Sequence, residues 1–423
     1  MFFIYNILQL IGIIIFLPFI LIAFLSVKKF RFGFLKKLGF FESKDDLKKT
    51  ENILIHAVSV GEINAVENFI NKVLENTNRN EHKILISTVT KTGYELAKKK
   101  FENKVDGIFC FPFDFCFSVK TFFKKLSLKK VIIAETEIWP NFVNIAEKMN
   151  IELYIINGRI SPNSYSGYKK LGFFFSRILN KYTKILMQTK DDASRIVDIG
   201  ANENLVKVMG NLKFDITRTL NGQQVNLLKA QLMLLDGKKL IIAGSTHKGE
   251  DEIVINIYKK LKENNSNFKM MLVPRHPERY SEVINLLKKE NLKFGKRSEN
   301  DNFSDNDVIL LDTMGELGKL YSICDFAFIG GSFVKTGGHN PLEATVWEKP
   351  TISGPFYFNF KDVYNILKNK NSAFIVNNED EFYKVVNKLA YDNEFYNLSK
   401  QNCKDVFVEN SGAVDKAYKL IFE

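Results

Sequence analysis

The sequence is poor in the residues that build metal and disulfide sites. Its four cysteines form no CxxC pair, and its five histidines are scattered along the chain. Zinc sites and disulfide frameworks both need characteristic spacings, so the pattern favours neither. We therefore predict no metal site, and we predict reduced, structural thiols in a cytoplasmic setting at Cys110, Cys116, Cys324 and Cys403.

Charge is missing from the start of the chain. Met1–Val27 contains no charged side chain and is dominated by Ile, Leu and Phe. A cleaved signal peptide is excluded because the segment has neither a basic beginning nor a small-residue cleavage site. The segment is long enough to span a bilayer as one helix, and a buried core helix is the alternative. We predict a membrane anchor.

Internal repeats and low-complexity tracts are also lacking, which argues against a repeat architecture. Hydrophobic residues make up 45% of the chain and charged residues 26%, as in ordinary globular proteins. A chain of 423 residues normally forms more than one core, so we predict two domains.

Positive charge is concentrated directly after the apolar segment. Lys28–Lys37 carries five cations and no acid, and the net charge of the chain is +12. The positive-inside tendency then places the rest of the chain on the cytoplasmic side. The partner is nucleic acid or an anionic membrane, and we favour the membrane because the cations alternate with Phe beside the anchor. A second cluster, Tyr165–Lys184, either contacts lipid or forms an amphipathic helix with a Phe-rich core face.

Short apolar runs alternate with helical patterns from Glu51 onwards, which predicts parallel sheets covered by helices on both faces. The predicted strands are Ile53–Val58, Ile84–Thr88, Gly107–Phe111, Val131–Ala134, Leu153–Ile156, Ile185–Met187, Leu240–Ala243, Met270–Val273, Val308–Leu311, Phe326–Ile329, Thr351–Ser353 and Ala373–Val376. The predicted helices include Ile63–Leu74, Thr92–Lys99, Asn141–Met149 and Asp191–Ile199.

The alternation is interrupted between Gly210 and Lys239 and then restarts. We therefore predict an α/β protein with two Rossmann-like domains that face each other across a cleft, at the carboxyl ends of their strands. The predicted divisions are a membrane anchor at 1–27, a first domain at 28–213, a linker with a helix at 214–238, a second domain at 239–400, and a C-terminal helix at 401–423 that packs back on the first domain.

Three charged side chains of the first half follow a predicted strand or an apolar run. Glu62 lies at the start of a helix, and Glu135 follows the strand Val131–Ala134. A carboxylate at such a strand end can act as a general base, or it can simply favour the dipole of its helix. Lys213 follows the apolar run Val206–Met209, where it either reaches across the predicted cleft or is solvated.

The second half has a glycine-rich segment between a strand and a predicted helix. One glycine pair, at 330–331, ends the strand Phe326–Ile329, and another, at 337–338, opens the next helix, with Glu343 just inside it. Glycines let a backbone approach a ligand closely, and free N–H groups at a helix start attract an anion. A carboxylate in the same turn can accept hydrogen bonds from neighbouring hydroxyls, and phosphate beside a diol is the signature of a nucleotide. A loop that needs glycine only for its geometry is the alternative.

Three more strand ends in the second half carry polar groups. Gly244–His247 offers hydroxyl and N–H donors, Pro274–Arg279 holds an Arg–His pair between prolines, and Asp312–Leu317 gives backbone groups at a helix start. Guanidinium is well matched to phosphate or carboxylate. Four such strand ends in one domain predict a nucleotide pocket.

Taken in order, these motifs resemble those of the 3-deoxy-D-manno-octulosonic acid (Kdo) transferases of Gram-negative lipopolysaccharide synthesis, glycosyltransferase family 30. The resemblance covers nearly the whole chain and is loosest at Lys28–Ser43. The motifs that carry it are HAVSVGE (56–62), AETEIWPN (134–141), NGRIS (157–161), GNLKFD (210–215), GSTHKGE (244–250), LVPRHPER (272–279), DTMGEL (312–317) and GGHNPLEA (337–344).

The resemblance implies a GT-B glycosyltransferase that transfers Kdo from CMP-Kdo to the lipid A precursor with inversion. By this likeness Glu62 is the base that accepts the proton of the acceptor hydroxyl, and Glu135 and Lys213 stabilise the transition state. Glu343 is expected on the ribose. The CMP site is expected at Pro274, Arg275, Met314, Gly315, Glu316, Asn340, Pro341, Leu342 and Glu343.

No metal or other cofactor is expected, because helix N-termini and a cation can meet the charge of a departing phosphate. The expected partners are CMP-Kdo, the lipid A precursor and inner-membrane lipids, without nucleic acid. The expected location is the cytoplasmic side of a bacterial inner membrane, held by the single N-terminal anchor. Two alternatives stay open: a membrane-associated GT-B enzyme that uses a UDP-sugar, and a non-catalytic basic membrane scaffold.

Overall fold

A computed structural model describes residues 2–27, 31–234, 237–264, 267–299 and 302–423. Parts of four predicted segments lie outside the described residues: Met1 of the anchor, Lys28–Phe30 of the basic cluster, residues 235–236 of the linker, and residues 265–266 and 300–301 of the second domain. The chain forms two compact units. The first unit comprises Met1–Asp215 and Ser411–Glu423, and the second comprises Ile216–Asn410.

The first unit is built on a parallel sheet. Its described strands, β1 to β7 in chain order, are Asn52–His56, Ile84–Thr88, Gly107–Cys110, Leu128–Ala134, Glu152–Gly158, Lys184–Met187 and Val206–Val208. They lie side by side in the order β3-β2-β1-β4-β5-β6-β7. Leu54 packs into one apolar cluster, and Ile53 and Ile55 pack into another. Alternate side chains of a strand point to opposite faces, so both faces of this sheet are buried.

Helices cover the first sheet. In chain order α1 to α10 are Phe2–Ser26, Phe34–Lys37, Val60–Ala65, Glu67–Asn76, Lys91–Phe101, Cys116–Leu126, Pro140–Lys148, Pro162–Lys170, Gly172–Leu179 and Lys190–Ile199. Short 3-10 turns lie at Asp45–Lys49, Glu203–Leu205 and Leu212–Phe214.

The second unit repeats the plan. Its described strands, β8 to β14, are Lys239–Thr246, Phe268–Pro274, Phe294–Lys296, Val308–Leu310, Phe326–Ile329, Thr351–Ser353 and Ala373–Ile375, in the order β10-β11-β9-β8-β12-β13-β14. Its helices α11 to α18 are Gly222–Gln231, Glu250–Asn264, Tyr280–Lys289, Leu317–Leu320, Leu342–Thr345, Lys361–Asn369, Glu379–Tyr391 and Asn393–Asn410. Its 3-10 turns are Pro277–Arg279, Arg297–Glu299, Tyr321–Ile323 and Phe358–Phe360.

The end of the chain returns to the first unit as α19, Ala413–Phe422. Ala417 and Ile421 of α19 are buried in the core of that unit. The Asp215 carboxylate accepts from the backbone N–H groups of Gly412 and Val414, at 2.5 Å each. The segment expected at 401–423 therefore divides: residues up to Asn410 belong to α18 of the second unit.

The α/β prediction is confirmed, with local corrections. The strands Val206–Val208 and Phe294–Lys296 were not predicted as strands, because a lysine interrupts the first and the second, Phe-Gly-Lys, has no apolar run. The predicted helix Ile63–Leu74 is two helices that meet at Val66. The helix expected to open at the second glycine pair begins only at Leu342, because Gly337 and Gly338 have φ of 95° and 74°, which an α-helix excludes.

One described helix, α1, is long and apolar enough to cross a membrane. None of its described residues is buried, so the alternative of a core helix is wrong. The second basic and aromatic cluster has both exposed and packed phenylalanines in α9, and its contact with lipid stays a prediction. Phe173 is 72% exposed, whereas Phe174 and Phe175 pack against the core of the first unit.

Candidate active site

Glu62 lies at the carboxyl edge of the first sheet, in the first turn of α3. The backbone N–H of Val58 donates to its Oε2 at 2.7 Å, and the Ser59 hydroxyl donates to its Oε1 at 3.1 Å. Both donors come from the loop between β1 and α3. The carboxylate is therefore held in one orientation by its own loop.

The pKa of Glu62 is raised towards neutral pH. Burial raises the pKa of Glu62 to about 7, the negative charge of Glu135 pushes it the same way, and the hydrogen bond from Val58 opposes the rise. A base works best when its pKa lies near the operating pH. Such a shift, produced by desolvation and a neighbouring charge, is frequent at functional sites.

Glu135 lies where β4 ends, and its φ is 59°. Its backbone N–H donates to the Ile156 carbonyl of the neighbouring strand at 2.9 Å. A non-glycine residue in the left-handed region costs on the order of 1 kcal/mol and persists only where the surroundings impose it. The chain therefore holds Glu135 in a fixed position at the edge of the sheet.

Lys213 lies in the 3-10 turn after β7, and its backbone N–H donates to the Asn211 side chain at 3.0 Å. Burial lowers the pKa of Lys213, while the negative charges of Glu135 and Glu62 oppose the fall. The structure therefore brings together, within one unit, the three side chains that the sequence singled out as catalytic. Sequence reasoning missed Arg159, whose positive charge also acts on Lys213.

A buried carboxylate organises the glycine loop of the second unit. Glu250, 0% exposed, begins α12 and accepts from the backbone N–H groups of Gly331, Ser332 and Phe333 at 2.7, 2.8 and 2.8 Å. It also accepts from the His247 backbone N–H at 2.9 Å. Three of these donors belong to the loop after β12 and the fourth to the loop after β8, so Glu250 fixes the two loops to each other. Sequence reasoning missed this role, although the Gly-Glu pair before a helix repeats that of HAVSVGE.

The loop also passes very close to a neighbouring strand. A Cβ atom on Gly330 would lie 2.3 Å from the Ser245 carbonyl oxygen, which no side chain tolerates. Gly331 has a φ of 70°. The geometry of the backbone therefore requires glycine at both positions.

Two histidines of this unit face each other. The Nε2 atoms of His247 and His339 are 3.0 Å apart, so one ring donates and the other accepts. Burial lowers the pKa of His339 to about 4, and the positive charge of Arg275 pushes it the same way. Burial also lowers the pKa of His247. Both shifts favour the neutral form of the rings.

Arg275 lies near both the histidine pair and Glu343. Arg275 follows β9, and its backbone N–H donates to the Thr246 carbonyl at 3.0 Å. Its charge acts on both His339 and Glu343. Asn340 accepts from the Leu342 backbone N–H at 3.1 Å, which shapes the turn before α15.

The remaining residues predicted for the CMP site differ in position and burial. Pro274 closes β9, and Pro341 and Leu342 are buried beneath the turn. Met314 is exposed, and Gly315 has a φ of 86°. The Glu316 carboxylate accepts from the Thr313 hydroxyl at 2.5 Å. Among the described residues, no group of three or more histidines, cysteines or acids could hold a metal ion.

Comparisons with known proteins identify the fold. The structure of Anabaena HepE in complex with UDP matches with a TM-score of 0.52 and 10% identity, over 88% of this chain and 98% of that chain. At that identity the likeness concerns the fold alone. Two Rossmann-like units on parallel sheets place the chain in the class of GT-B proteins.

Sequence relatives identify the family. A family profile described as 3-Deoxy-D-manno-octulosonic-acid transferase (kdotransferase) matches residues 29–216. The 3-deoxy-D-manno-octulosonic acid transferase of Haemophilus influenzae is 33% identical over 405 residues, 95% of this chain and 93% of that protein. The chain belongs to the 3-deoxy-D-manno-octulosonic acid transferase family of glycosyltransferases.

Another relative is longer. The bifunctional glycosyltransferase/methyltransferase of Fusobacterium nucleatum subsp. nucleatum is 35% identical over 410 residues, which are 96% of this chain. The chain spans 61% of the length of that relative.

Proposed function

We propose that the protein transfers Kdo from CMP-Kdo to the lipid A precursor, with inversion at the anomeric carbon, on the cytoplasmic side of the inner membrane. Membership of the Kdo transferase family supports the sugar and the donor. The observation that carries the chemistry is the cluster of Glu62, Glu135 and Lys213 at one edge of the first sheet.

Glu62 is proposed as the general base. Its carboxylate is oriented by Val58 and Ser59, and its pKa of about 7 lets it accept a proton near neutrality. In the step, the acceptor hydroxyl loses its proton to Glu62 while its oxygen forms a bond to the anomeric carbon. The bond from that carbon to the CMP phosphate oxygen breaks, and CMP leaves with the electron pair.

Glu135 and Lys213 are proposed to stabilise the transition state. The sugar carbon gains positive charge as the phosphate departs, and the carboxylate of Glu135 suits that charge. Lys213 is a half-buried cation beside Glu135. A charge in such a setting interacts more strongly than one in water.

The donor nucleotide is assigned to the second unit. Arg275 is proposed to bind the CMP phosphate, and Glu343 the ribose hydroxyls. Asn340, Pro341 and Leu342, together with Met314, Gly315 and Glu316, would form the rest of the CMP site. We propose no metal or other cofactor, because Arg275 and the backbone N–H groups of these loops can meet the phosphate charge.

An amphiphilic acceptor is supported by a cavity in the first unit. The cavity has a volume of about 620 Å³ and is lined by aromatic side chains and two lysines, among them Phe40, Tyr94, Phe109, Lys36 and Lys125. Apolar walls suit acyl chains, and cations suit phosphate. The lipid A precursor carries both groups.

The donor assignment is tested by ligand protection. CMP should raise the Tm of the protein and UDP should not; protection by UDP alone would contradict the donor assignment.

The pH dependence tests the base: kcat/KM should rise with pH through about 7 as Glu62 loses its proton. Glu62→Gln should lower transfer by roughly 10²- to 10⁴-fold and abolish that rise while CMP protection stays. Unchanged transfer in the variant would contradict the role.

A further inference from the structure

We propose that helix α1 lies within the cytoplasmic leaflet, against the first unit, and does not cross the bilayer. Near its start, the Tyr5 hydroxyl donates to Asp114 Oδ2 at 3.0 Å. Near its end, the ring centroid of Phe24 lies 5.0 Å from that of Phe34. The ring centroid of Phe34 in turn lies 5.7 Å from that of Phe113. Phe113 and Asp114 are neighbours in the chain, so the start of α1 contacts this loop directly, and the end of α1 is linked to it through Phe34.

The length of the helix makes these contacts informative. A helix of 25 residues is about 37 Å long, close to the ~30 Å of a bilayer core. If α1 crossed the membrane, Tyr5 and Phe24 would lie on opposite sides of it. Phe24 contacts Phe34 of the first unit, so Tyr5 would then lie across the membrane from that unit and could not reach Asp114. The sequence alone leaves crossing open, because composition does not reveal where the two ends lie.

Polar side chains of α1 form a contact seam with the first unit. The Asn6 and Asn141 side chains donate to each other, at 3.2 and 2.8 Å, and Gln9 donates to the Asp114 carbonyl at 3.3 Å. Tyr5, Asn6 and Gln9 share one face of the helix. In a crossing helix these groups would lie without such partners at the far side of the bilayer, where unsatisfied polar groups are costly.

On the first unit, the residue at the centre of this contact seam is Asp114. Asp114 is 6% exposed and also accepts from the backbone N–H groups of Asn141 and Phe142, at 3.0 and 2.8 Å, where α7 begins. The Tyr5 hydroxyl completes its set of donors. Removal of α1 from this face would leave a buried carboxylate short of a partner.

The surface around α1 has the chemistry of a membrane-binding face. Exposed Leu35, Phe117 and Phe173 each follow or precede a residue that contacts α1, namely Phe34, Cys116 and Phe174. The side chains of α1 between residues 14 and 22 are all exposed and apolar. Exposed cations lie on the same elements, at Lys36, Lys170 and Arg177. A large apolar surface rimmed by cations fits an anionic lipid leaflet.

Cross-linking in native membranes tests the seam. Asn6 Oδ1 lies 3.6 Å from the Cys116 thiol, so Asn6→Cys places two thiols side by side. A short bis-maleimide should link them within one chain. The matched control is Ile4→Cys, at nearly the same depth but 59% exposed and on the outer face of the helix, which should not link. Absence of the link in Asn6→Cys, or equal linking in both variants, would overturn the proposal.

A topology measurement gives an independent readout. In a Cys116→Ser background, a cysteine placed ahead of Met1 should react with a membrane-impermeant maleimide in inverted membrane vesicles and not in intact spheroplasts. Reaction in spheroplasts would show that the amino end crosses the membrane and would overturn the proposal. Neither readout depends on the assigned sugar transfer.

Discussion

Two glutamates in equivalent positions behave differently. Glu62 and Glu250 each follow a glycine at the start of a helix that leaves a sheet. Glu250 is fully buried and accepts from four backbone N–H groups, so it holds a loop. Glu62 is half-buried, accepts from two donors and has a pKa raised to about 7, so it can exchange a proton.

The raised pKa of Glu62 makes a prediction about stability. Because burial favours its protonated form, the stability that Glu62 contributes is complete below its ordinary pKa and is lost as pH rises through about 7. The Gln side chain in Glu62→Gln does not ionise, so its contribution to stability does not fall as the pH rises. The Tm of the variant relative to the natural protein should therefore increase between pH 5 and pH 8, as measured by calorimetry. A difference that does not change with pH would contradict the assigned burial.

For Glu250 we predict a structural role, in contrast to the proton exchange of Glu62. Glu250→Ala leaves three backbone N–H groups of the loop after β12, and that of His247, without their acceptor, which should cost about 3 kcal/mol or more. Denaturant unfolding should show this loss, together with loss of CMP protection. The matched control is Glu252→Ala, an exposed acid of the same helix, which should change stability little. Equal effects in the two variants would contradict the role of Glu250.

At the scale of elements, the glycine loop replaces the helix that the sequence suggested. α15 has four residues, too few for a strong dipole, and it begins after the positive φ angles of Gly337 and Gly338. The anion-binding groups predicted there are therefore loop groups. The closest backbone approach in this loop is at Gly330.

Gly330→Ala should destabilise the second unit, because its Cβ would lie 2.3 Å from the Ser245 carbonyl oxygen and 2.8 Å from the Thr246 Cα. The expected loss is about 1–3 kcal/mol, the usual range for overpacking. Gly318→Ala is the control, since a Cβ there meets nothing within 4 Å and alanine favours a helix. Thermal unfolding of both variants measures the difference. Equal Tm values would show that the loop can move away.

Site residues that come directly after strands could be predicted from the sequence. Glu62, Glu135 and Lys213 all lie beyond strand ends, and in a parallel sheet such ends meet at one edge; the structure brings the three together. Glu250 and Asp114 were missed because their partners lie far along the chain, at Gly331 and Tyr5. No local pattern reveals such contacts. The catalytic and CMP-binding roles themselves stay predictions.

At the scale of the whole molecule, charge and the anchor act together. A net charge of +12 and an exposed apolar helix both favour an anionic membrane, and the acceptor assigned to the protein is itself an anionic lipid. Two units of similar architecture divide the work that we propose. The first holds the base and the anchor, and the second binds the nucleotide.

The most direct test of the central claim is mass spectrometry of the product formed by the full-length protein from CMP-Kdo and the lipid A precursor. We expect the acceptor mass to increase by one or more Kdo units, with CMP released, and we expect almost none of this product with Glu62→Gln. An unchanged acceptor in the presence of folded, CMP-binding protein would contradict the account, as would transfer from a UDP-sugar in place of CMP-Kdo.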